Sequence, residues 1–409
     1  APSGTSVVET TGGIVATAVV LCTFGLMFVR RIGRYPLSRS VTAAGGAVAL
    51  VALGIVPPER ALESISVQTL LLLFGMLVHV AALARSGFYE WTAAKLVALA
   101  VTPRRLTLGA LVLSAVLSAL ALNDATVLLL TPVLVVAAKE GGVDPVPPVL
   151  AVVFGANIGS VATPLGNPQN AFVLAASDLT TVEFVRALTP VAGVSLLVAG
   201  LFLVPITPPE GTLAIPEPPD LDRGWAVSSS AFVIATLALL FVLPDIGAGT
   251  IAASMGIVHL VWLQAFRRVP GNDVFEATDW SILVLFGGLF ALIAGLDGTA
   301  LLAFVEGVSS GLPLAVTAFV LSNLVSNVPA VVLLSAGIPA AAGGDWLLLA
   351  AVSTLAGNAT PIASAATLIA LEAATDRDVH VPLWKLLALG IPLSVVTSAI
   401  AVGVLIALP

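Results

Sequence analysis

Hydrophobic positions in this chain come in long blocks rather than in the narrow stripes of a soluble domain. Ten blocks are near or above the roughly 20 residues that cross a bilayer as an α-helix. They lie near 12–29, 40–57, 67–84, 147–177, 184–206, 225–243, 246–265, 280–296, 346–373 and 383–407. Two further apolar stretches, 107–138 and 312–340, are interrupted by polar residues at their centres. The interruptions read Leu122-Asn123-Asp124-Ala125-Thr126 and Ser326-Asn327-Val328-Pro329. This pattern predicts an all-α polytopic membrane protein with about ten transmembrane helices and two re-entrant hairpins.

Composition agrees. Of 409 residues, 58% are hydrophobic and 10% charged, where a soluble domain carries about 25% charged. The net charge of −7 and the lack of a basic patch argue against nucleic acid as a partner. A lone cysteine, Cys22, allows no intrachain disulfide, and three histidines are too few to suggest a metal site. Of these, His79 and His259 fall within apolar spans, where hydrogen-bonded packing is the expected role. No cofactor motif is present; a bound sodium ion is the one non-protein group entertained. Residues 12–29 are long enough to stay as a span rather than act as a cleaved signal.

Charge sets the orientation. Arg30, Arg31, Arg34 and Arg39 follow the first span and place that loop in the cytoplasm. With both interrupted stretches read as hairpins, 14 of the 16 Lys and Arg fall inside and only Arg60 and Arg186 outside. Reading both stretches as crossings would move Lys139, Arg223, Arg267 and Arg268 outside. The expected location is therefore the cell membrane, multi-pass, with both termini extracytoplasmic.

A Pro- and acid-rich linker, 207–224, divides the chain into a first repeat (1–206, with N-terminal scaffold helices) and a second (225–409). Leu73-Phe74-Gly75-Met76 matches Leu285-Phe286-Gly287-Gly288, and Ala162-Thr163-Pro164-Leu165 matches Ala359-Thr360-Pro361-Ile362. The matching pieces start from opposite sides, so the repeats have inverted topology, a recurring plan of secondary transporters.

Chemistry concentrates where the helices are expected to break. Gly155, Gly159, Pro164, Gly166 and Pro168 make a continuous helix over 147–177 unfavourable. In hydrocarbon, broken backbone is tolerated only inside protein or beside water. Asn157, Ser160, Thr163, Asn167, Gln169 and Asn170 sit in this break, and Asn358, Thr360, Ser364 and Thr367 in its counterpart. Close helix packing alone would also use such small polar residues. Asp124 is an acid at mid-bilayer depth, a costly placement that marks function; it suits a coupling cation, while capping the following half-helix is the structural alternative. From these patterns Asn123, Thr163, Asn167, Asn170, Asn327, Thr360, Ser364 and Thr367 are candidate solute ligands. Asp124, Thr126, Asn157 and Asn358 are candidate cation-coupling residues. Glu372 is expected at the cytoplasmic interface. No arginine falls in the expected core, which disfavours a strongly held dianion, and the second hairpin tip carries no acid, which places ion coupling in the first repeat.

Three stretches together resemble the ion transporter superfamily: Asn123-Asp124-Ala125-Thr126 through Pro132, Gly155-Ala156-Asn157-Ile158-Gly159 through Asn170, and Ser322-Asn323-Leu324-Val325-Ser326-Asn327-Val328-Pro329. That group includes arsenite permeases, silicon efflux carriers, divalent-anion/sodium symporters and some sodium/proton antiporters. The run Ala359-Thr360-Pro361-Ile362-Ala363-Ser364 looks most like the arsenite-permease branch. The resemblance covers nearly the whole chain and implies transport elements moving against a scaffold, commonly in a homodimer. Two departures stand out. Asn167 stands where antiporter-like members often carry an acid, and neither tip has the symporters' Ser-Asn-Thr signature.

The expected function is secondary active transport of a small inorganic or organic anion or oxyanion-type solute (arsenite-like, silicate-like or carboxylate), coupled to a proton or sodium gradient by alternating access. Sodium/proton antiport through Asp124 is the alternative, and a passive channel a third reading. No enzymatic motif is visible.

Overall fold

The computed structural model describes residues 11–29, 31–32, 35–215, 217, 220–267 and 269–407. Arg30, Arg34 and Arg268, used above to orient the chain, lie outside them, as do parts of the linker.

Among the described residues, twenty α-helices follow one another in two runs of ten. The first run is α1 (Thr11–Val29), α2 (Arg39–Ala52), α3 (Pro58–Glu63), α4 (Val67–Arg85), α5 (Phe88–Ala100), α6 (Pro103–Leu120), α7 (Asn123–Glu140), α8 (Val146–Ser160), α9 (Pro168–Ala176) and α10 (Thr181–Leu203). The second is α11 (Arg223–Val242), α12 (Ala248–Trp262), α13 (Gly271–Glu276), α14 (Ser281–Ala294), α15 (Ala300–Val308), α16 (Gly311–Val325), α17 (Asn327–Ser335), α18 (Gly343–Ala356), α19 (Ala365–Thr375) and α20 (Leu383–Ala407). Each helix of the first run has a counterpart ten places later. A two-residue hairpin, Arg31–Ile32 with Tyr35–Pro36, adds the only strands among the described residues.

Among the described residues, seven helices are each long and apolar enough to cross a membrane: α1, α4, α6, α10, α11, α12 and α20. Six of them are expected spans, and α6 is the first arm of the first hairpin. The other expected spans are the shorter α2 and α14 and the two broken pairs, α8–α9 and α18–α19. Between α15 and α16 the chain turns by 119°.

Both interrupted stretches fold back on themselves. Pro103 and Val143, at the two ends of the α6–α7 hairpin, both lie against Gly211. At the ends of the α16–α17 hairpin, Ser309 Oγ lies 3.4 Å from Leu334 O. The hairpins enter from opposite faces. The start of α8 lies beside the first hairpin's base, where Asp144 pairs with Lys385 and Lys139 Nζ donates to Arg377 O at 2.9 Å. The end of α9 lies beside the second hairpin's base, where Asp178 N donates to Ala340 O at 3.0 Å. Both tips need a left-handed backbone at a non-glycine residue: Leu122 has φ 36° and Ser326 φ 80°. Such residues cost about 1–3 kcal/mol and persist where surrounding contacts over-determine them.

The halves interlock crosswise. α4 packs on α12, and α2 on α14. In membranes such interfaces depend on small residues that let backbones approach. A Cβ on Gly75 would overlap the Ala252 carbonyl, and one on Gly288 would overlap the backbone at Ala43. Hydrogen bonds reinforce the α4–α12 seam, where His79 Nδ1 and His259 Nδ1 lie 2.9 Å apart. Thr236 Oγ1 gives its proton to Phe232 O at 2.8 Å, so it accepts from His79 Nε2 at 2.9 Å. His79 Nδ1 is then the acceptor of the pair, and His259 Nε2 accepts from Ser229 at 3.0 Å. All four ring nitrogens are thus satisfied with both rings neutral, the packing role expected for these histidines.

Candidate functional site

Each break is built by local sequence. After α8, Gly166 sits so close to Ser160 that a Cβ would strike its backbone. Asn167 then caps α9, its Oδ1 accepting from Asn170 N at 2.8 Å, and Pro168 follows at the first helical position, where its missing N–H costs nothing. In the second half Ser364 precedes α19 in the same extended conformation.

The tips dock on the breaks by matching bonds. Asn123 N donates to Gly166 O at 2.9 Å, and Asn327 N to Ala363 O at 3.0 Å. Thr163 Oγ1 donates to Ala119 O in the first half, and Thr360 Oγ1 to Asn323 Oδ1 at 2.9 Å in the second. The breaks then clasp each other across the halves. Asn157 accepts from Ser364 Oγ at 3.0 Å and donates to Thr367 Oγ1 at 3.3 Å. Conversely, Thr354 accepts from Asn167 Nδ2 at 3.4 Å and donates to Asn170 Oδ1 at 3.4 Å. Asn157 also donates to Asn358 Oδ1 at 3.0 Å and accepts from Asn123 Nδ2 at 3.3 Å.

A cavity of about 390 Å³ opens onto both tips and both breaks. Of the candidate residues, Asn123, Asp124, Asn327 and Ser364 line it. Asn157, Asn167, Asn170, Asn358, Thr126, Thr163, Thr360 and Thr367 stand outside its wall and hold the breaks and tips in place. Thr126 Oγ1 donates to Leu122 O at 3.1 Å, within the first tip. Asn170 Nδ2 donates to Ser160 O at 2.8 Å, as Thr367 Oγ1 does to Gly357 O at 3.2 Å. Asn327 Nδ2, turned to suit its neighbours, donates to Ala363 O at 2.6 Å and Ser353 O at 3.0 Å. Among the described residues, Asn123 Oδ1 and Asn358 Nδ2 are buried atoms with no hydrogen-bond partner.

One expectation about charge is corrected. An arginine does reach the site: Arg39, at the start of α2, lies on the cavity wall and donates from Nη2 to Ile362 O at 3.2 Å. Acids also come from the second half: Asp279, just before α14, and Glu372, in α19, share the wall with Asp124. Local sequence assigns Arg39 to a loop and gives Asp279 no distinction. Only the packing of α2 on α14 brings both to the hairpin tips.

Six helices begin at this cavity, α2 at Arg39, α14 at Ser281 and four at the tips and breaks: α7 at Asn123, α9 at Pro168, α17 at Asn327 and α19 at Ala365. A helix N-terminus carries a partial positive charge and unpaired N–H groups. Four of them with one guanidinium make a site for negative or electron-rich oxygen. The carboxylates beside it supply places for a cation.

Broken helices and hairpin tips meeting mid-molecule, inside a shell of apolar helices, define a membrane transporter. Residues 19–367 match the family model CitMHS, citrate transporter; the chain belongs to that family, within the ion transporter superfamily its motifs resemble. It is 26% identical to an uncharacterized transporter of Mycobacterium tuberculosis, over 95% of this chain and 96% of that one. It is 27% identical to the silicon efflux transporter LSI3 of Oryza sativa subsp. japonica, over 90% and 92%. In three dimensions it is similar to the YdaH transporter of Alcanivorax borkumensis (TM-score 0.52, 16% identity, covering 97% of this chain and 98% of that one). It is similar also to MtrF of Neisseria gonorrhoeae (TM-score 0.57, 11% identity, 97% and 95%). These two likenesses concern the fold.

Proposed function

We propose that this protein is a secondary active transporter for a small anion or oxyanion-type solute, driven by a proton or sodium gradient through alternating access. The observation that carries the reading is the convergence of the four helix N-termini of the tips and breaks, with Arg39, on one cavity. That arrangement stabilises oxygen-rich, electron-rich solutes. A volume of about 390 Å³ accommodates a small carboxylate, and citrate, named by the family, and silicic acid, suggested by the rice relative, are the first solutes to test.

Asp124 is assigned to the driving cation. It stands in the first turn of α7, beside the proposed solute position, with Asp279 lining the same cavity. Cation and anion bound together offset each other's charge, which is the physical basis of coupling. By the positive-inside rule the cavity mouth, next to Arg39, Asp279 and Glu372, faces the cytoplasm, so this conformation is inward-open. Three carboxylates on one wall also favour a second reading, sodium/proton antiport through Asp124. Purified protein in liposomes separates the two. Solute uptake that follows an imposed sodium or proton gradient supports the first. Proton movement on adding sodium, with no other solute present, supports the second.

A further inference from the structure

Three helices, α9, α14 and α17, line both the central cavity and a second one. α9 contributes Pro168 and Gln169 to the central cavity and, one turn on, Phe172 to another of about 470 Å³. α14 contributes Leu285 to the first, and Phe290 and Ile293 to the second. α17 contributes Pro329 to the first, and Val332 and Ser335 to the second. The cavities therefore lie end to end along the same three helices. The second is at the base of the second hairpin, the face opposite the central mouth.

What separates them is thin. One helical turn rises about 5.4 Å, and the steps from Gln169 to Phe172 and from Pro329 to Val332 are shorter than that. Aromatic rings fill the layer: Phe172 lies 5.6 Å from Phe290 and 6.0 Å from Phe286, centroid to centroid. Beyond them the second cavity carries polar groups, Ser64, Ser66 and Ser335 on its wall and the Arg60–Asp297 ion pair at its side. A further cavity on that face, lined by Gln68, Ala248 and Leu174, shares only α9 with the central one.

We propose that the cavity beside Arg60 is the second mouth of the transport path, and that Phe172 and Phe290 are the rings that close it. The solute leaving the central site passes between α9, α14 and α17 when these rings part. Arg60, released from Asp297, then receives its negative charge. The inference rests on the transporter reading, but its test needs no transport.

The test is cysteine accessibility in vesicles, in a Cys22→Ala background, with a membrane-impermeant methanethiosulfonate reagent. Leu285→Cys places the reporter on the central wall. With both rings intact it reacts from the central-mouth face and slowly from the other. Phe290→Ala or Phe172→Ala is expected to raise the rate from the second face at least tenfold, with the rate from the first face unchanged. That unchanged rate shows the fold is intact. Phe290→Leu, which keeps an apolar side chain, guards against loss of folding and is expected to give a smaller rise. No rise with any of the three overturns the proposal. Absent solute flux in the unmodified protein would instead count against the transporter reading.

Discussion

Ser364 Oγ donates to Asn157 Oδ1 at 3.0 Å, tying the break of the second half to the helix that enters the break of the first. Thr354 stands in the place of Asn157 in the other half and holds Asn167 and Asn170 in the same way. The two halves thus share one polar centre, each half completing the other's hydrogen bonds. In a bilayer, where no water satisfies freed backbone, such completion lets both helices break.

Asn157→Ala removes four side-chain hydrogen bonds at once, those to Asn123, Asn358, Ser364 and Thr367. Each buried polar group left unpaired costs about 1–3 kcal/mol. The melting temperature of the purified protein is expected to fall by several degrees and solute flux to be lost. Asn157→Asp, which keeps the acceptor facing Ser364 and Asn123, is expected to fall less. Equal melting temperatures for wild type and Asn157→Ala would remove Asn157 from this role.

Asp124→Asn separates coupling from solute binding. The amide keeps the shape and loses the charge that holds the driving cation. Gradient-driven accumulation is expected to disappear, while exchange of labelled for unlabelled solute at equilibrium persists. Accumulation at the wild-type level in Asp124→Asn rules out this carboxylate as the coupling group.

Arg39→Ala tests the guanidinium on the cavity wall. Hydrogen bonds to charged groups contribute about 1.5–3 kcal/mol, so KM for an anionic solute is expected to rise about tenfold or more. A neutral solute loses little. Uptake of a carboxylate with unchanged KM in Arg39→Ala contradicts the assignment.

The close approach of α4 to α12 and of α2 to α14 gives a stability contrast. Gly75→Ala and Gly288→Ala each drive a methyl into facing backbone and are expected to lower the yield of folded protein sharply. A Cβ on Gly287 meets nothing within 4 Å, and Ala is favoured over Gly inside a helix by about 1 kcal/mol. Gly287→Ala is therefore expected to match or exceed wild-type stability by thermal melting.

The same glycines show what was legible in the chain. The motif Leu-Phe-Gly correctly pairs α4 with α14, because a repeat leaves matching local sequence. It aligns Gly75 with Gly287, whereas the glycine buried in the α2–α14 seam is Gly288. Packing register depends on the facing helix, which local sequence does not record. The breaks and tips were readable because Gly, Pro and Asn have local conformational consequences at Gly166, Pro168 and Asn327. Arg39 and Asp279 were not, since each sits at the end of an ordinary apolar span. Their place at the site follows from helices 240 residues apart in number coming together. Likewise Asn167 and Asn170 read as ligands from sequence, because an amide's type says nothing of whether it faces the cavity or its own backbone.

The most direct measurement of the central claim is labelled-solute uptake into proteoliposomes, for citrate, silicic acid and arsenite, with and without imposed sodium and proton gradients. The account predicts saturable uptake of at least one of them, driven by one of the two gradients and abolished by collapsing it. No gradient-dependent uptake of any, or uptake that neither saturates nor shows counterflow, would contradict it.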